Sequence, residues 1–189
     1  MPDEPEVLGL LALMLLQESR REARVAADGT LAMLEEQDRS LWDSAILEEG
    51  AALAQKALRM RRVGAFQLQA ATAALPAEAA TGAETDWAQI AAIYDELFAA
   101  QPTPVVALNR AAAHGMAHGP QAGLRLLDAI EESEALASYY LLPAARADLL
   151  RRARRHDEAA DAYRHAIDLC TNLVERRYLE RRLAEVTAG

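Results

Sequence analysis

The sequence predicts an all-α protein built from helix-turn-helix repeats, and three observations indicate this class. The 189 residues are 52% hydrophobic, and Ala and Leu, which favour helix, supply most of that fraction. Gly, Pro and capping residues divide the chain into segments with apolar residues at helical spacing. Two of these segments align with Tyr94 on Tyr163, an offset of 69 residues, close to two tetratricopeptide repeats of about 34 residues each.

The first predicted helix runs from Glu6 to Arg24 and ends at the turn dipeptide Asp28-Gly29. Acidic residues precede its apolar run and no basic segment does, so the start does not resemble a signal peptide. The run from Val7 to Leu16 is too short for a bilayer, which needs about 20 residues. We therefore expect a buried first helix and no membrane segment.

The second predicted helix follows a connecting loop, residues 25–43. Ser40 and Asp43 have the spacing of a capping box, which predicts a helix from Leu41 to Met60 with Trp42 on its first turn. The N-terminal helix pair then occupies residues 1–64.

Three tetratricopeptide-like helix pairs are predicted in residues 65–170. In the first pair, helix three stops at Pro76, and Thr85 or Asp86 caps helix four. In the second pair, helix five follows Pro104 and stops at Gly119.

The third pair has the best repeat spacing, and a polar helix in residues 171–189 caps the array. We expect the three pairs to stack as a short right-handed solenoid, so that the whole chain, with about nine helices, forms one structural domain. Small or aromatic residues occupy the packing positions of the third pair: Ala147, Ala159, Tyr163 and Ala166.

In such a solenoid the first helix of each pair lines a concave groove, which suits an extended peptide or a partner helix. The positions predicted to line it mix apolar, amide, thioether and charged side chains. They are Gln69 in helix three; Val106, Asn109, Ala113 and Met116 in helix five; and Leu141, Ala144, Asp148 and Arg151 in helix seven.

The acidic balance of the chain argues against autonomous nucleic-acid binding. A formal net charge of −9 and a pI near 5.0 predict repulsion from phosphate backbones. Cys170 is the single cysteine and so forms no intrachain disulfide, which suits a reducing compartment. We therefore expect a cytoplasmic protein that makes no direct nucleic-acid contact.

No motif of the sequence predicts catalysis. His114 and His118 have a metal-ligand spacing, but no acidic or Cys ligand accompanies them nearby, so a packed or solvent-facing pair is expected. A Gly-rich phosphate loop and a nucleophile beside a His are both absent. The prediction is a protein that is not an enzyme, with no catalytic residue, metal or cofactor.

Several strings along the chain carry a family resemblance. They include "DGTLAMLEEQDRSLWD", "QLQAATAAL", "TDWAQIAAIYDEL", "PVVALNRAAA" and "LLPAARADLLRR". In this order they resemble the C-terminal tetratricopeptide-like extension of bacterial extracytoplasmic-function (ECF) sigma factors, which belong to the sigma-70 family of RNA polymerase subunits. The resemblance implies a regulatory module that contacts sigma regions two and four, RNA polymerase or a regulatory protein. Those two regions are absent here, so the chain by itself recognises no promoter.

The resemblance also implies a set of partner-binding residues. Within "QDRSLWD", capping accounts for Ser40 and Asp43 but leaves the remaining polar residues and the Trp unexplained. Asp86 and Trp87 match the family strings too, but capping and packing account for them. The implied partner-binding residues are Asp38, Arg39, Trp42, Gln69, Asn109, Arg110 and Arg146.

Two other functions stay open on the residues alone. A stand-alone tetratricopeptide-like scaffold would bind an unrelated peptide or protein in the same groove. A small-molecule sensor would place its pocket under the connecting loop. The sigma-factor module is the function that the strings favour.

Overall fold

The computed structural model describes residues 4–26, 29–79 and 81–188. Within these ranges the chain forms nine α-helices and no β-strand, and neighbouring helices pack together, which confirms the all-α class. The chain divides into two compact units. Unit 1 contains Met1–Asp28 and Ala32–Gln101, and unit 2 contains Gly29–Leu31 and Pro102–Gly189. The division into residues 1–64, 65–170 and 171–189 stays a prediction about the repeats.

Unit 1 is held together by close contacts between helices. It contains α1 (Pro5–Glu18), α2 (Ser44–Arg59), α3 (Ala65–Glu78) and α4 (Trp87–Ala100). Helix α1 packs against α2 and α3, and α3 also contacts α4. A Cβ atom on Gly9 would lie 2.7 Å from the backbone nitrogen of Gln67, so α1 and α3 meet backbone to backbone. Small residues form the buried centre: Ala12, Ala54 and Ala70.

The carboxylate of Glu6 on α1 caps the first turn of α3. Its oxygens accept hydrogen bonds from the backbone N–H groups of Phe66 (3.1 Å) and Gln67 (3.4 Å). The fully buried Gln67 amide donates to Glu6 (3.2 Å) and to the carbonyl oxygen of Arg62 (2.6 Å). Two N-terminal backbone donors of α3 and a buried side-chain amide are therefore difficult to satisfy without this one carboxylate, which lies 60 positions before Phe66.

Helix α1 ends at Glu18, so the prediction that it continues to Arg24 was wrong. The Ser19 hydroxyl donates to the carbonyl oxygen of Leu16 (2.9 Å), and the Ser19 carbonyl accepts from the backbone of Asp43 (2.8 Å). These bonds end the helix because the Ser19 hydroxyl occupies a carbonyl of the last turn and the distant Asp43 N–H occupies the carbonyl of the C-cap residue. Asp28, predicted to form the turn, lies outside the described residues.

Helix α2 begins at Ser44, so the predicted start at Leu41 was also wrong. The Asp43 carboxylate caps α2 by accepting from the backbone N–H of Ile46 (3.0 Å). Residues 39–41 form a separate 3-10 turn, and Trp42 lies between that turn and the helix. A 3-10 turn and a separate helix cap at Asp43 are therefore found where a single capping box was expected.

Helix α3 continues to Glu78, past the predicted stop at Pro76. Proline lacks a backbone N–H and so removes one i to i−4 hydrogen bond from the last turn, but the helix continues for two residues beyond it. The carbonyl oxygens of Pro76 and Ala79 accept hydrogen bonds from the guanidinium of Arg39, which replaces donors that the chain cannot supply there.

Unit 2 contains two helix pairs and a final helix: α5 (Pro104–His118), α6 (Pro120–Asp128), α7 (Leu141–Arg152), α8 (His156–Leu169) and α9 (Leu173–Thr187). Helix α5 packs on α6, α7 on α8, and α9 on α8. Gly119 joins the first pair with φ of 90°, a conformation that glycine adopts freely. The four packing positions predicted for the third pair are confirmed, since each is at most 1% exposed: Ala147, Ala159, Tyr163 and Ala166.

Of the two caps predicted for α4, Asp86 is the one that forms the bond, by accepting from the N–H of Gln89 (2.9 Å). Thr103, which was not predicted as a cap, caps α5 by accepting from the N–H of Val106 (3.3 Å). None of the described helices is long and apolar enough to cross a membrane.

Gly123 on α6 provides a test of the close packing in unit 2. A Cβ atom there would lie 2.7 Å from the carbonyl oxygen of Ala111 on α5. Helix propensity alone favours Gly123→Ala by about 1 kcal/mol, but overpacking typically costs about 1–3 kcal/mol. We expect urea denaturation to show a lower free energy of unfolding for Gly123→Ala, while Gln121→Ala, an exposed change in α6, leaves it nearly unchanged. A stabilised Gly123→Ala variant would contradict this contact.

Candidate functional site

Asp38 organises the 3-10 turn that precedes Trp42. Its carboxylate accepts from the hydroxyl (2.7 Å) and the backbone N–H (2.9 Å) of Ser40. These hydrogen bonds lower the pKa of the Asp38 carboxyl, because they favour its charged form. Asp38 is exposed, so it builds the turn and also leaves a negative charge in solvent.

Arg39 connects this turn to the end of α3. Its Nη1 atom donates to the carbonyl oxygens of Pro76 (2.8 Å) and Ala79 (2.5 Å). A cation is favoured at a helix C-terminus because the unpaired carbonyls carry partial negative charge. Sequence reasoning assigned Arg39 to partner binding, and the structure gives it a definite structural role as well.

Trp42 is half-buried beside two guanidinium groups. The Cζ atom of Arg39 lies 4.8 Å from the ring centroid, and that of Arg20 lies 5.6 Å from it. Both distances are within the range of a cation–π contact, about 6 Å. Arg20, Arg39 and Trp42 therefore form one group in unit 1, called here the Trp42 cluster.

The Trp42 cluster concentrates positive charge in an acidic chain. Burial first, and then the charges of Arg24 and Arg39, lower the pKa of Arg20. The described hydrogen bonds of Arg20 and Arg24 go to Leu16 and Gln17, which are neutral acceptors. Among the described residues, no carboxylate forms a salt bridge with these three arginines. An acidic group from a partner would relieve this repulsion.

Polar atoms around the cluster are buried without a hydrogen-bond partner among the described residues. They are Nη2 of Arg39, Nε1 of Trp42 and Oε1 of Gln37. Gln37 uses its Nε2 to donate to the carbonyl oxygen of Ala32 (3.2 Å). An unsatisfied buried donor costs about 1–3 kcal/mol, so the surroundings must hold these side chains in place.

The other predicted site residues lie apart from this cluster along the chain. Gln69 is half-buried on α3, and its carbonyl accepts from the Thr72 hydroxyl (2.8 Å). In unit 2, Asn109 is exposed on α5 and Arg110 is half-buried. Arg146 on α7 forms salt bridges with two acidic residues, one at the end of α6 and one just after it, at 2.9 and 3.1 Å. The partners of Arg146 are Asp128 and Glu131.

Several positions predicted to line the groove do not present a free surface. Val106 and Ala113 are buried, because they pack inside the protein on the inner side of α5. The Asp148 carboxylate accepts from Arg151 (2.5 Å) and Arg152 (2.7 Å), both on α7. Burial opposes ionisation of Asp148, but the Arg152 charge and these hydrogen bonds leave its pKa lowered.

Sequence reasoning missed an open cleft of about 440 Å³ in unit 2. At its edge, Arg155 forms two hydrogen bonds with Glu158, at 2.7 and 2.5 Å. No sequence spacing indicates the cleft, because its walls come from α7, α8 and the segment after α6. Its apolar lining includes Leu136, Leu142, Pro143, Leu150 and Leu169, and its polar lining includes Arg146, Arg155, Asp161 and His165.

The side chains that the sequence offered as candidates for metal binding or oxidation lie in unit 2. The rings of His114 and His118 lie 5.3 Å apart, centroid to centroid. In the described part of the chain, no three His, Cys, Asp or Glu side chains are grouped as metal ligands would be. Cys170 is buried at the end of α8, where it packs in the core of unit 2.

The structural role of Arg39 predicts a loss of stability when its side chain is removed. Arg39→Ala deletes two hydrogen bonds from a charged donor and one cation–π contact, and we expect the free energy of unfolding to fall by about 2 kcal/mol. Arg21→Ala is the matched control, because Arg21 is exposed and its side chain forms a surface ion pair with Glu18, which contributes little to stability. Urea denaturation of both variants checks this, and equal stabilities would contradict it.

Comparisons with known proteins place the Trp42 cluster within a matched segment. Residues 1–58 match a family of unknown function, DUF6596. An uncharacterized protein of Rhizobium meliloti (strain 1021) is 43% identical over 187 residues. The alignment covers 99% of this chain and 44% of that relative. No solved structure matches the chain. The chain is therefore similar to less than half of a longer bacterial protein.

Proposed function

We propose that the chain is a regulatory protein-interaction module of an ECF sigma factor. It modulates transcription initiation by contacting sigma regions two and four, RNA polymerase or a regulatory protein, and other parts of the longer protein recognise the promoter. The family strings along the chain support this proposal. The extent of the match supports it as well, since the chain corresponds to 44% of a longer relative.

The Trp42 cluster is the observation that carries the proposal. It combines an aromatic side chain with two guanidinium groups, and Trp and Arg are the residues most often found at binding hot spots. An acidic side chain of a partner would form charge-assisted hydrogen bonds with Arg20 while lowering the repulsion between the arginines. The "QDRSLWD" string that supplies two members of the cluster is also the most specific of the family strings.

The charge of the chain fits a module that works beside DNA without touching it. A net charge of −9 opposes contact with phosphate and favours basic protein surfaces. Under this proposal the protein acts in the cytoplasm, where bacterial transcription takes place.

Arg20→Gln tests the proposal with little disturbance of the fold. The Arg20 side chain makes two long hydrogen bonds, at 3.4 and 3.3 Å, and one cation–π contact with Trp42 at 5.6 Å, so its loss should lower the free energy of unfolding by less than the loss of Arg39 does. Loss of about 1 kcal/mol of partner binding corresponds to roughly a fivefold weaker complex. We expect the Arg20→Gln variant of the longer protein to support roughly fivefold less promoter-specific transcription by RNA polymerase.

Arg21→Gln changes the next position, outside the Trp42 cluster, and is the control. This variant should support an unchanged level of promoter-specific transcription. The proposal fails if deletion of residues 1–189 from the longer protein leaves promoter-specific transcription unchanged. It also fails if the longer protein contains no sigma regions.

The cleft in unit 2 favours a second candidate, a scaffold or small-molecule sensor. Its volume of about 440 Å³ lies within the usual range for ligand sites, about 300–1,000 Å³. An apolar lining with Arg146 and Arg155 would suit a small acid or a peptide with an apolar anchor. A metabolite that raises the melting temperature of the chain, but not that of an Arg155→Gln variant, would favour this candidate, because Arg155 is exposed and lines the cleft.

A further inference from the structure

Helix α1 has apolar residues on every side, but only one side is buried. Its inner side faces α2 and α3 and includes Leu8, Ala12 and Leu16. A helix that is apolar all round is normally buried all round, because exposed apolar area costs free energy. The expectation of a fully buried first helix was therefore wrong for the outer side of α1.

The outer side of α1 carries four large apolar side chains at helical spacing. With about 100° between successive residues, positions i, i+3, i+4 and i+7 lie on one side of a helix. The four are 38–60% exposed, and they form what is called here the α1 stripe: Val7, Leu10, Leu11 and Met14.

We propose that the α1 stripe is the surface on which an amphipathic helix of the longer protein, outside residues 1–189, docks against this module. The inference rests on the proposed function, since the occupant belongs to the sigma-factor part of that protein. Helices that dock on one another make contact through apolar side chains at positions i, i+3, i+4 and i+7, which is the spacing of the α1 stripe. The extra length is available, because more than half of the relative lies outside the matched region.

Charge selects this occupant over a second copy of the chain. Two copies would bring together two chains of net charge −9, which repel each other at short range. A helix with basic residues beside its apolar side would instead be attracted. Glu4 and Glu18, at the two ends of α1, form surface ion pairs with Arg62 and Arg21, and basic residues of such a helix would compete with these arginines for the two carboxylates.

Thiol labelling measures whether the stripe is covered. Met14→Cys introduces a reactive thiol where the native side chain is 60% exposed, and Cys170 is only 3% exposed and should label slowly. Leu173→Cys on α9, where the native side chain is 71% exposed, is the matched control. A maleimide is added to residues 1–189 alone and to the longer protein, each carrying one of these changes.

In the longer protein we expect Met14→Cys to label about tenfold more slowly than in residues 1–189 alone, while Leu173→Cys labels at similar rates in both. Adding Leu10→Gln and Leu11→Gln should restore fast labelling, because these changes remove the docking surface. Circular dichroism melting confirms that the variants fold.

Equal labelling of Met14→Cys in both proteins would overturn the docking inference. Slower labelling with increasing concentration of residues 1–189 would also overturn it, by identifying a second copy as the occupant. Neither result depends on transcription. A failure of docking is therefore distinguished from a failure of the proposed function, which the deletion of residues 1–189 tests.

Discussion

The close approach of α1 to α2 and α3 is the constraint on which the rest of unit 1 depends. Gly9 has no room for a Cβ atom beside the backbone of α3, and Gly50 has little room beside Leu16. Such contacts exclude larger side chains, so the inner side of α1 is fixed by shape as well as by hydrophobicity. Because α1 is held on that side alone, the four large apolar residues of the α1 stripe are left exposed on the outer side.

The sequence predicted those features whose physical cause is local. Asp86 caps a helix through a bond within one turn, and Tyr163 fills a repeat position that spacing alone defines. The ends of α1 and α3 and the start of α2 were misplaced because distant groups determine them. The Ser19 carbonyl accepts a hydrogen bond from the N–H of Asp43, and the carbonyls at the end of α3 accept hydrogen bonds from Arg39. Arg20 and the cleft of unit 2 were missed for the same reason, since only folding brings their neighbours together.

The residues of "QDRSLWD" show how one short segment builds two turns around a side chain that the proposed function assigns to partner binding. The carboxylates of Asp38 and Asp43 accept hydrogen bonds in two successive turns, and Arg39 donates to a carbonyl at the end of α3. Trp42 is then left as the side chain that these bonds hold in position against Arg20. A binding residue positioned in this way loses little conformational freedom when a partner arrives, because folding has already fixed it.

The Glu6 carboxylate has a consequence for how a signal could pass through unit 1. It joins α1 to the first turn of α3 by three hydrogen bonds, and it is the immediate neighbour of Val7. Any event that shifts α1 along its axis must either carry the start of α3 with it or break those bonds. If occupancy of the outer side of α1 shifts this helix, occupancy and the order of the start of α3 are thermodynamically linked, and each changes the other by the same free energy.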